Sequence, residues 1–298
     1  MTRALVIGRW RKGRKVSAHV EEVSRALRAA GWTVEDRVVM RKRALRARSA
    51  KAAKRGVDVV VAVGGDGAVL QVATALAGTK TALGIMPLGT GNLLAGNLDL
   101  PKKPADAIKV ILGRRRRRID VGEIEVDGTK RCFTVACGVG YDAEIMDATT
   151  PPQKLRWGKL AYLANAVGQR DELEAVAHVV TIDGRRVETE ASQVFVANYG
   201  KMLPIVAPRR QIRADDGLLD VIIVRASGAL PALLAGWDAM VQDTLGAADS
   251  GRVIRAQGRS VTIETSPGRL VEVDGSVIGK TPATIEVRPK ALTVLVPK

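Results

Sequence analysis

Short apolar runs alternate with segments of helical period through the first third of the chain. Ala4–Gly8 is a continuous apolar run of strand length. From Ser17 the period lengthens: Val20, Val23 and Leu27 recur on one helical face, Glu21 and Glu22 stand in the first turns, and Gly31 supplies the stop. Thr33–Val39 again has strand character, and Arg43–Arg55 has helical propensity with a heavily basic face. Val57–Val63 is an apolar run after Gly56, broken only by Asp58, as expected of a central parallel strand. Ala68–Leu76 predicts a helix, Thr81–Met86 a buried strand, Gly91–Asn97 a helix start, and Pro104–Leu112 a helix with proline in its first turn. Such alternation predicts a parallel sheet flanked by helices.

After a run of arginines the pattern changes to strands. Ile119–Val126, Lys130–Ala136, Ala177–Asp183 and Val187–Asn198 have strand character, and Leu218–Arg225, Ser260–Thr265 and Arg269–Val273 continue it. Asp127-Gly128 and Asp183-Gly184 stand between strand-like runs, a strong hairpin signal. Two helical stretches interrupt, Leu155–Gln169 and Ala229–Leu245. A domain boundary is therefore expected near Arg118, giving residues 1–118 as an α/β domain and 119–290 as an antiparallel β domain. No internal repeat or low-complexity linker separates them.

Composition removes several classes of function. With 298 residues, 46% hydrophobic and 26% charged, the chain is an ordinary globular protein. No apolar run reaches the roughly eighteen residues of a spanning helix, and Met1 leads directly into a strand-like segment, so neither a membrane span nor a secretory signal is expected. Cys132 and Cys137 fall in what reads as one strand, five apart on opposite faces, which suits two unpaired thiols in a reducing cytosol. His19 and His178 are the only histidines and there is no Cys-x-x-Cys pair, which sets zinc chemistry aside and argues against a Ser-His-Asp hydrolase. The formal charge of +16 points to a polyanionic partner. The excess gathers in Arg9–Lys15, Arg37–Arg55 and Arg114–Arg118, which as readily form solvated surface. Aromatics are only 3%, too few for a stacking platform, so an anionic membrane surface ranks ahead of nucleic acid.

The candidate chemistry lies in two glycine loops. The first strand-to-helix junction is Gly64-Gly65-Asp66-Gly67, the second Pro87-Leu88-Gly89-Thr90-Gly91-Asn92. Glycines let backbone approach a ligand, and a following helix start offers amides and a positive dipole end to phosphate. Asp66 would repel phosphate unless a cation stood between them or it accepted a proton; alternatively it caps the helix at Ala68. Loops after neighbouring parallel strands meet at the carboxyl edge of the sheet, where α/β folds bind ligands. Neither loop is a Walker A or dinucleotide fingerprint.

Together these motifs resemble the catalytic domain of the diacylglycerol kinase family, in its bacterial lipid-kinase branch related to sphingosine kinases. The resemblance continues through Ile119-Asp120-Val121-Gly122, Gly138-Val139-Gly140-Tyr141-Asp142-Ala143, Ala207-Pro208, Asp216-Gly217-Leu218-Leu219-Asp220-Val221 and Val273-Asp274-Gly275. It implies an α/β nucleotide domain and a C-terminal β-sandwich, an active site in the cleft between them, and a C-terminal tail of about 291–298 returning to the first domain. It implies an ATP- and Mg²⁺-dependent kinase acting on a hydroxyl of a membrane lipid such as diacylglycerol, cytoplasmic and peripheral at the inner face of the membrane. Gly64, Gly65, Gly67, Gly89, Thr90, Gly91 and Asn92 would hold the nucleotide. Asp66 and Asp120 would hold Mg²⁺, Asp216 a second metal, and Asp66 or Asp274 would take the proton. The oligomeric state, including a homodimer, is left open.

Four positions depart from the family pattern. The first strand leads into the basic loop Gly8-Arg9-Trp10-Arg11-Lys12-Gly13 instead of an Asn-Pro turn. Ala68 replaces a threonine, Leu93 an aspartate, and Ser276 the glutamate expected after Asp274-Gly275. A serine has no useful basicity at neutral pH, which leaves Asp66, Asp120, Asp274 and Glu272 as acids. Two rival functions follow: a weakened kinase scaffold that binds nucleotide and anionic lipid or nucleic acid without turnover, and a nicotinamide-dinucleotide kinase. The second rival would carry an Asn-Glu pair, and none is present.

Overall fold

The computed structural model describes residues 1–12, 15–140, 175–200, 212–225, 253–274 and 276–298. The helices expected at Leu155–Gln169 and Ala229–Leu245 lie outside these residues, as do Tyr141-Asp142-Ala143, Ala207-Pro208, Gly13 and Gly275. The chain divides into two compact units, Met1–Val121 with Pro289–Lys298, and Gly122–Arg288.

The first unit is built on parallel strands β1 (Arg3–Arg9), β2 (Thr33–Val39), β3 (Val59–Gly64) and β4 (Ala82–Pro87), in spatial order β2-β1-β3-β4. Every residue of β3 and β4 is buried, the signature of strands covered on both faces. Helices α1 (Val16–Ala29) and α5 (Pro104–Gly113) pack on alternate strand residues, among them Val6, Val61, Val63 and Met86. Helices α2 (Lys42–Lys54) and α3 (Asp66–Leu76) pack on each other and on β1 and β3. A five-residue helix, α4 (Leu93–Asn97), follows the second glycine loop. The end of the last strand, β16 (Ala283–Leu295), adds parallel to β4 through Val294 and Leu83.

The second unit is antiparallel. One sheet runs β12 (Val253–Gly258), β11 (Leu219–Val224), β10 (Gln193–Ala197), β7 (Ala136–Gly140), β14 (Leu270–Val273) and β15 (Ser276–Lys280). The other contains β16, β13 (Ser260–Ser266), β8 (Val176–Ile182) and β9 (Arg185–Ala191), with β5 (Arg116–Val126) on β16 and β6 (Thr129–Phe133) on β5. One apolar core, including Phe133, Val139, Val180, Val196, Val221, Val261, Val271 and Ile285, joins the two sheets into a sandwich. Both Asp-Gly pairs make two-residue turns with left-handed backbone, Asp127 (φ 50) and Gly128 (φ 69), Asp183 (φ 46) and Gly184 (φ 83).

Three expected strands are divided or extended. Lys130–Ala136 breaks into β6 and β7, because the amides of Thr134, Val135 and Ala136 turn to the carboxylate of Asp274. Cys132 and Cys137 therefore belong to different strands, and both are free thiols. Val187–Asn198 breaks at Ser192, whose N–H donates to Val224 O at 2.9 Å as the chain changes sheets. The arginine run does not end at a loop: Arg116 onward belongs to β5.

Candidate functional site

The carboxyl ends of β3 and β4 deliver the two glycine loops side by side. Gly64 and Pro87 are register partners, and Leu88 N–H donates to Gly64 O at 2.9 Å. Beyond them the loops touch through backbone. A Cβ on Gly65 would stand 2.9 Å from Gly89 Cα, and one on Gly89 would stand 2.7 Å from Gly65 Cα. Glycine is required here for loop-on-loop packing, before any ligand approaches.

Asp66 ties the pair together. It is the first residue of α3, and no side chain caps that helix. Its Oδ2 accepts from Asn92 N–H at 2.9 Å and its Oδ1 from Leu93 N–H at 2.5 Å. The carboxylate thus caps α4, not the helix at Ala68. The cause lies in Asn92, the left-handed N-cap of α4 (φ 49), whose side chain turns back into its own loop. Asn92 Oδ1 accepts Gly89 N–H at 2.8 Å, and Nδ2 donates to Gly89 O at 2.7 Å. The α4 amides need an outside acceptor, and Gly91 leaves room for one: a Cβ there would lie 3.0 Å from Asp66 Oδ2.

This arrangement distinguishes the two helix starts. The first amides of α4 are engaged by Asp66, whereas the eleven-residue α3 presents an uncapped N-terminus at Gly65–Gly67. Thr90, next to Gly89 in the second loop, is exposed. A cation is present too. Lys42, the first residue of α2, runs along Gly67, where a Cβ would lie 3.8 Å from both Lys42 Cε and Nζ. The sequence shows Lys42 only as part of a basic helix; which of its cations meets the glycine loop depends on how α2 packs on α3.

The other candidate acids hold backbone. Asp120, fully buried in β5, accepts Lys290 N–H at 2.5 Å, where Lys290 is left-handed (φ 49). Asp216 is exposed, and its Oδ1 accepts Leu218 N–H at 3.1 Å in a local Asx turn. Among the described residues no group of three or more His, Cys, Asp or Glu could hold a metal ion by itself.

Asp274 belongs to the second unit, left-handed (φ 41) at the β14–β15 turn. Its Oδ2 accepts Thr134 N–H (2.9 Å) and Thr134 Oγ1–H (3.0 Å), and its Oδ1 accepts Val135 N–H (3.0 Å) and Ala136 N–H (3.1 Å). Burial pushes the carboxyl above its ordinary range, while the four donors pull it back. Each oxygen accepts two bonds, which fills its lone pairs. Among the described residues Asp66 accepts one bond per oxygen, which leaves acceptor capacity on each. Glu272 is buried in β14 opposite Gly138, and Ser276 is exposed.

Residues 3–124 match the model of the diacylglycerol kinase catalytic domain, and residues 135–296 match that of the YegS C-terminal NAD kinase beta sandwich-like domain. The chain belongs to the diacylglycerol kinase family of lipid kinases. A diacylglycerol kinase of Mycobacterium tuberculosis is 30% identical over 258 residues, covering 84% of this chain and 80% of that one. A Pseudomonas putida protein named probable lipid kinase YegS-like is 29% identical over 280 residues, covering 91% and 88%. An uncharacterized Synechocystis protein is 30% identical over 248 residues, which span 81% of this chain but only 55% of that relative's length. The crystal structure of a diacylglycerol kinase from Bacillus anthracis superposes with a TM-score of 0.73 over 99% of this chain and 97% of its own. At 22% identity that likeness is one of fold. Family membership accounts for both units at once, the glycine-loop domain and the sandwich.

Proposed function

We propose that the protein transfers the γ-phosphoryl group of ATP to a hydroxyl of a membrane lipid such as diacylglycerol, with Mg²⁺. The observation that carries this is the pair of glycine loops locked into one platform by Asp66, in a chain of lipid-kinase family. Phosphoryl transfer depends mainly on positioning and on stabilising charge. The uncapped start of α3, Gly64, Gly65 and Gly67 with it, receives phosphate oxygens, and Lys42 adds a positive charge beside them. Gly89, Gly91 and Asn92 shape the second loop, and Thr90 offers a hydroxyl. Mg²⁺ keeps several waters and binds through one or two carboxylates plus phosphates, so Asp66 with the phosphate oxygens would hold it, whereas Asp120, fully buried on the Lys290 N–H, does not fit that role. When bound, it would neutralise charge on the transferred group. Asp216 stands as the candidate for a second ion.

Of the two candidate bases, Asp66 has acceptor capacity left for a proton and Asp274 does not. Asp66 is therefore assigned the lipid hydroxyl proton, and Asp274 the frame of the second unit. A second function, a nucleotide- and lipid-binding protein without turnover, is favoured by one observation: Ser276 stands where the family pattern has glutamate. This function would put the protein peripherally at the inner face of the membrane that holds its lipid substrate. No helix among the described residues is long and apolar enough to cross a membrane.

Incubation with labelled ATP, Mg²⁺ and a mixed lipid extract tests this directly. A labelled lipid is expected, more of it with Ser276→Glu. ATP binding with nothing labelled would support the binding protein. In a parallel incubation with a nicotinamide dinucleotide as acceptor, label in the dinucleotide would support that rival, which the Gly89-Thr90-Gly91-Asn92 loop and the lack of an Asn-Glu pair oppose.

A further inference from the structure

The carboxyl edge that holds the glycine loops also carries two exposed apolar side chains beside each other. Trp10 is 46% exposed and Met40 68%, with Val38 at 39% next to them. Trp10 directly follows β1 and Met40 directly follows β2; Arg9 and Val39 are register partners, and Trp10 N–H donates to Val39 O at 2.9 Å. The two side chains therefore leave adjacent parallel strands at the same level. Arg11, Lys12, Arg41 and Arg43 surround them in sequence, all exposed. Residues 9–20 and 37–57 contain no Asp or Glu. Asp66, at the same edge of the sheet, has its charge engaged by the amides of Asn92 and Leu93.

The other basic run is built differently. Arg114 lies over the Trp32 ring at 6.0 Å, Arg115 Nη1 donates to Pro297 O at 3.2 Å, and Arg118 Nε donates to Lys290 O at 3.0 Å. Those guanidiniums are turned onto the chain itself.

We propose that the tip formed by Trp10 and Met40, with its basic rim, is the face that docks on an anionic bilayer. An exposed tryptophan and methionine ringed by cations is what an interface of lipid headgroups and acyl chains takes up: the rim is drawn to the anionic surface, and the apolar pair enters the boundary below it. Nucleic acid would use the rim but gives no burial to Met40 or Val38. The proposal deepens the lipid-kinase function, since it brings the phosphate loops to the surface where a lipid hydroxyl is presented.

Vesicle co-sedimentation tests it with equimolar phosphatidylcholine and phosphatidylglycerol, against phosphatidylcholine alone, without ATP or acceptor lipid. Wild type should bind the anionic vesicles in a salt-sensitive way and show a blue-shifted tryptophan emission. Trp10→Ser with Met40→Ser should bind at least about tenfold more weakly at unchanged charge, and Trp10→Phe with Met40→Leu should restore binding. Arg11→Glu with Arg43→Glu should also lose it, whereas Arg114→Ser with Arg118→Ser should stay within about twofold. A Trp10/Met40 serine variant that binds like wild type overturns the proposal, as does loss of binding in the Arg114/Arg118 variant alone. So does a change in sedimentation of the serine variant without vesicles, which would make the tip a contact between copies. A duplex DNA fragment bound more tightly than anionic vesicles would also overturn it. Because no phosphorylation is measured, failure here leaves the labelled-lipid result untouched, and the reverse holds equally.

Discussion

Asp66→Asn separates what Asp66 holds from what it does chemically. The substitution keeps the size of the side chain and replaces one oxygen by an NH₂ group. Whichever way the amide turns, that group meets an N–H donor, Leu93 at 2.5 Å or Asn92 at 2.9 Å. One bond to a charged acceptor disappears, a loss of about 1.5–3 kcal/mol, and the other weakens to the neutral range of about 0.5–1.5 kcal/mol. Asp66 is half-buried, so water can recover part of this, and a net cost of about 2–3 kcal/mol is expected. The five-residue α4 then loosens before the unit as a whole unfolds. Thermal melts with and without ATP, paired with calorimetric titration of ATP, measure it. The melting temperature should fall by about 2–4 °C per kcal/mol, and ATP affinity should fall with it because Gly89 and Gly65 lose their common anchor. Turnover should vanish as well, but that loss by itself does not identify a base. If Asp66→Asn melted and bound ATP like wild type while turnover vanished, the tie between the loops would be irrelevant and Asp66 purely chemical.

Gly89→Ala should destabilise the first unit by about 1–3 kcal/mol and weaken ATP binding, since its Cβ meets backbone that cannot move aside. Gly113→Ala, where no described residue lies within 4 Å of the added Cβ, should be neutral or mildly stabilising in the same thermal melts. Lys42→Met should lower ATP affinity about fivefold, in line with an exposed charge worth about 1 kcal/mol, without shifting the melting temperature. His178 gives the pH test. Its ring is buried, Nδ1–H donates to Val176 O at 2.8 Å, and Nε2 has no hydrogen-bond partner among the described residues. Burial, then the charge of Arg269, holds it below its ordinary 6.5 despite that bond. The unfolded chain therefore binds the proton first as pH falls through 6.5, and stability drops by up to about 1.4 kcal/mol per pH unit until the folded ring protonates. His178→Leu should flatten that slope in urea melts between neutral and mildly acidic pH; parallel curves for the two proteins would refute the assignment.

What the sequence discloses and what it hides follow one division, between local patterns and long-range partners. The buried run of β3, the glycine loops and the two Asp-Gly turns are set by neighbours in the chain, and each is legible from residue order. The division of a strand-like segment is not, because its cause sits elsewhere. Lys130–Ala136 has continuous strand character, and only Asp274, 138 to 140 residues away, turns three of its amides aside. The same holds for Asp66. Its motif marks it as chemically important, yet its partners are 26 and 27 residues distant and reached only because Gly64 and Pro87 fall in register. A motif thus reports that a residue type is required without saying whether it is required by a substrate or by another loop. The accepted bonds separate the two acids. Both oxygens of Asp274 are filled by protein donors, whereas Asp66 accepts one bond per oxygen among the described residues. That difference is why the proposed function gives the substrate proton to Asp66.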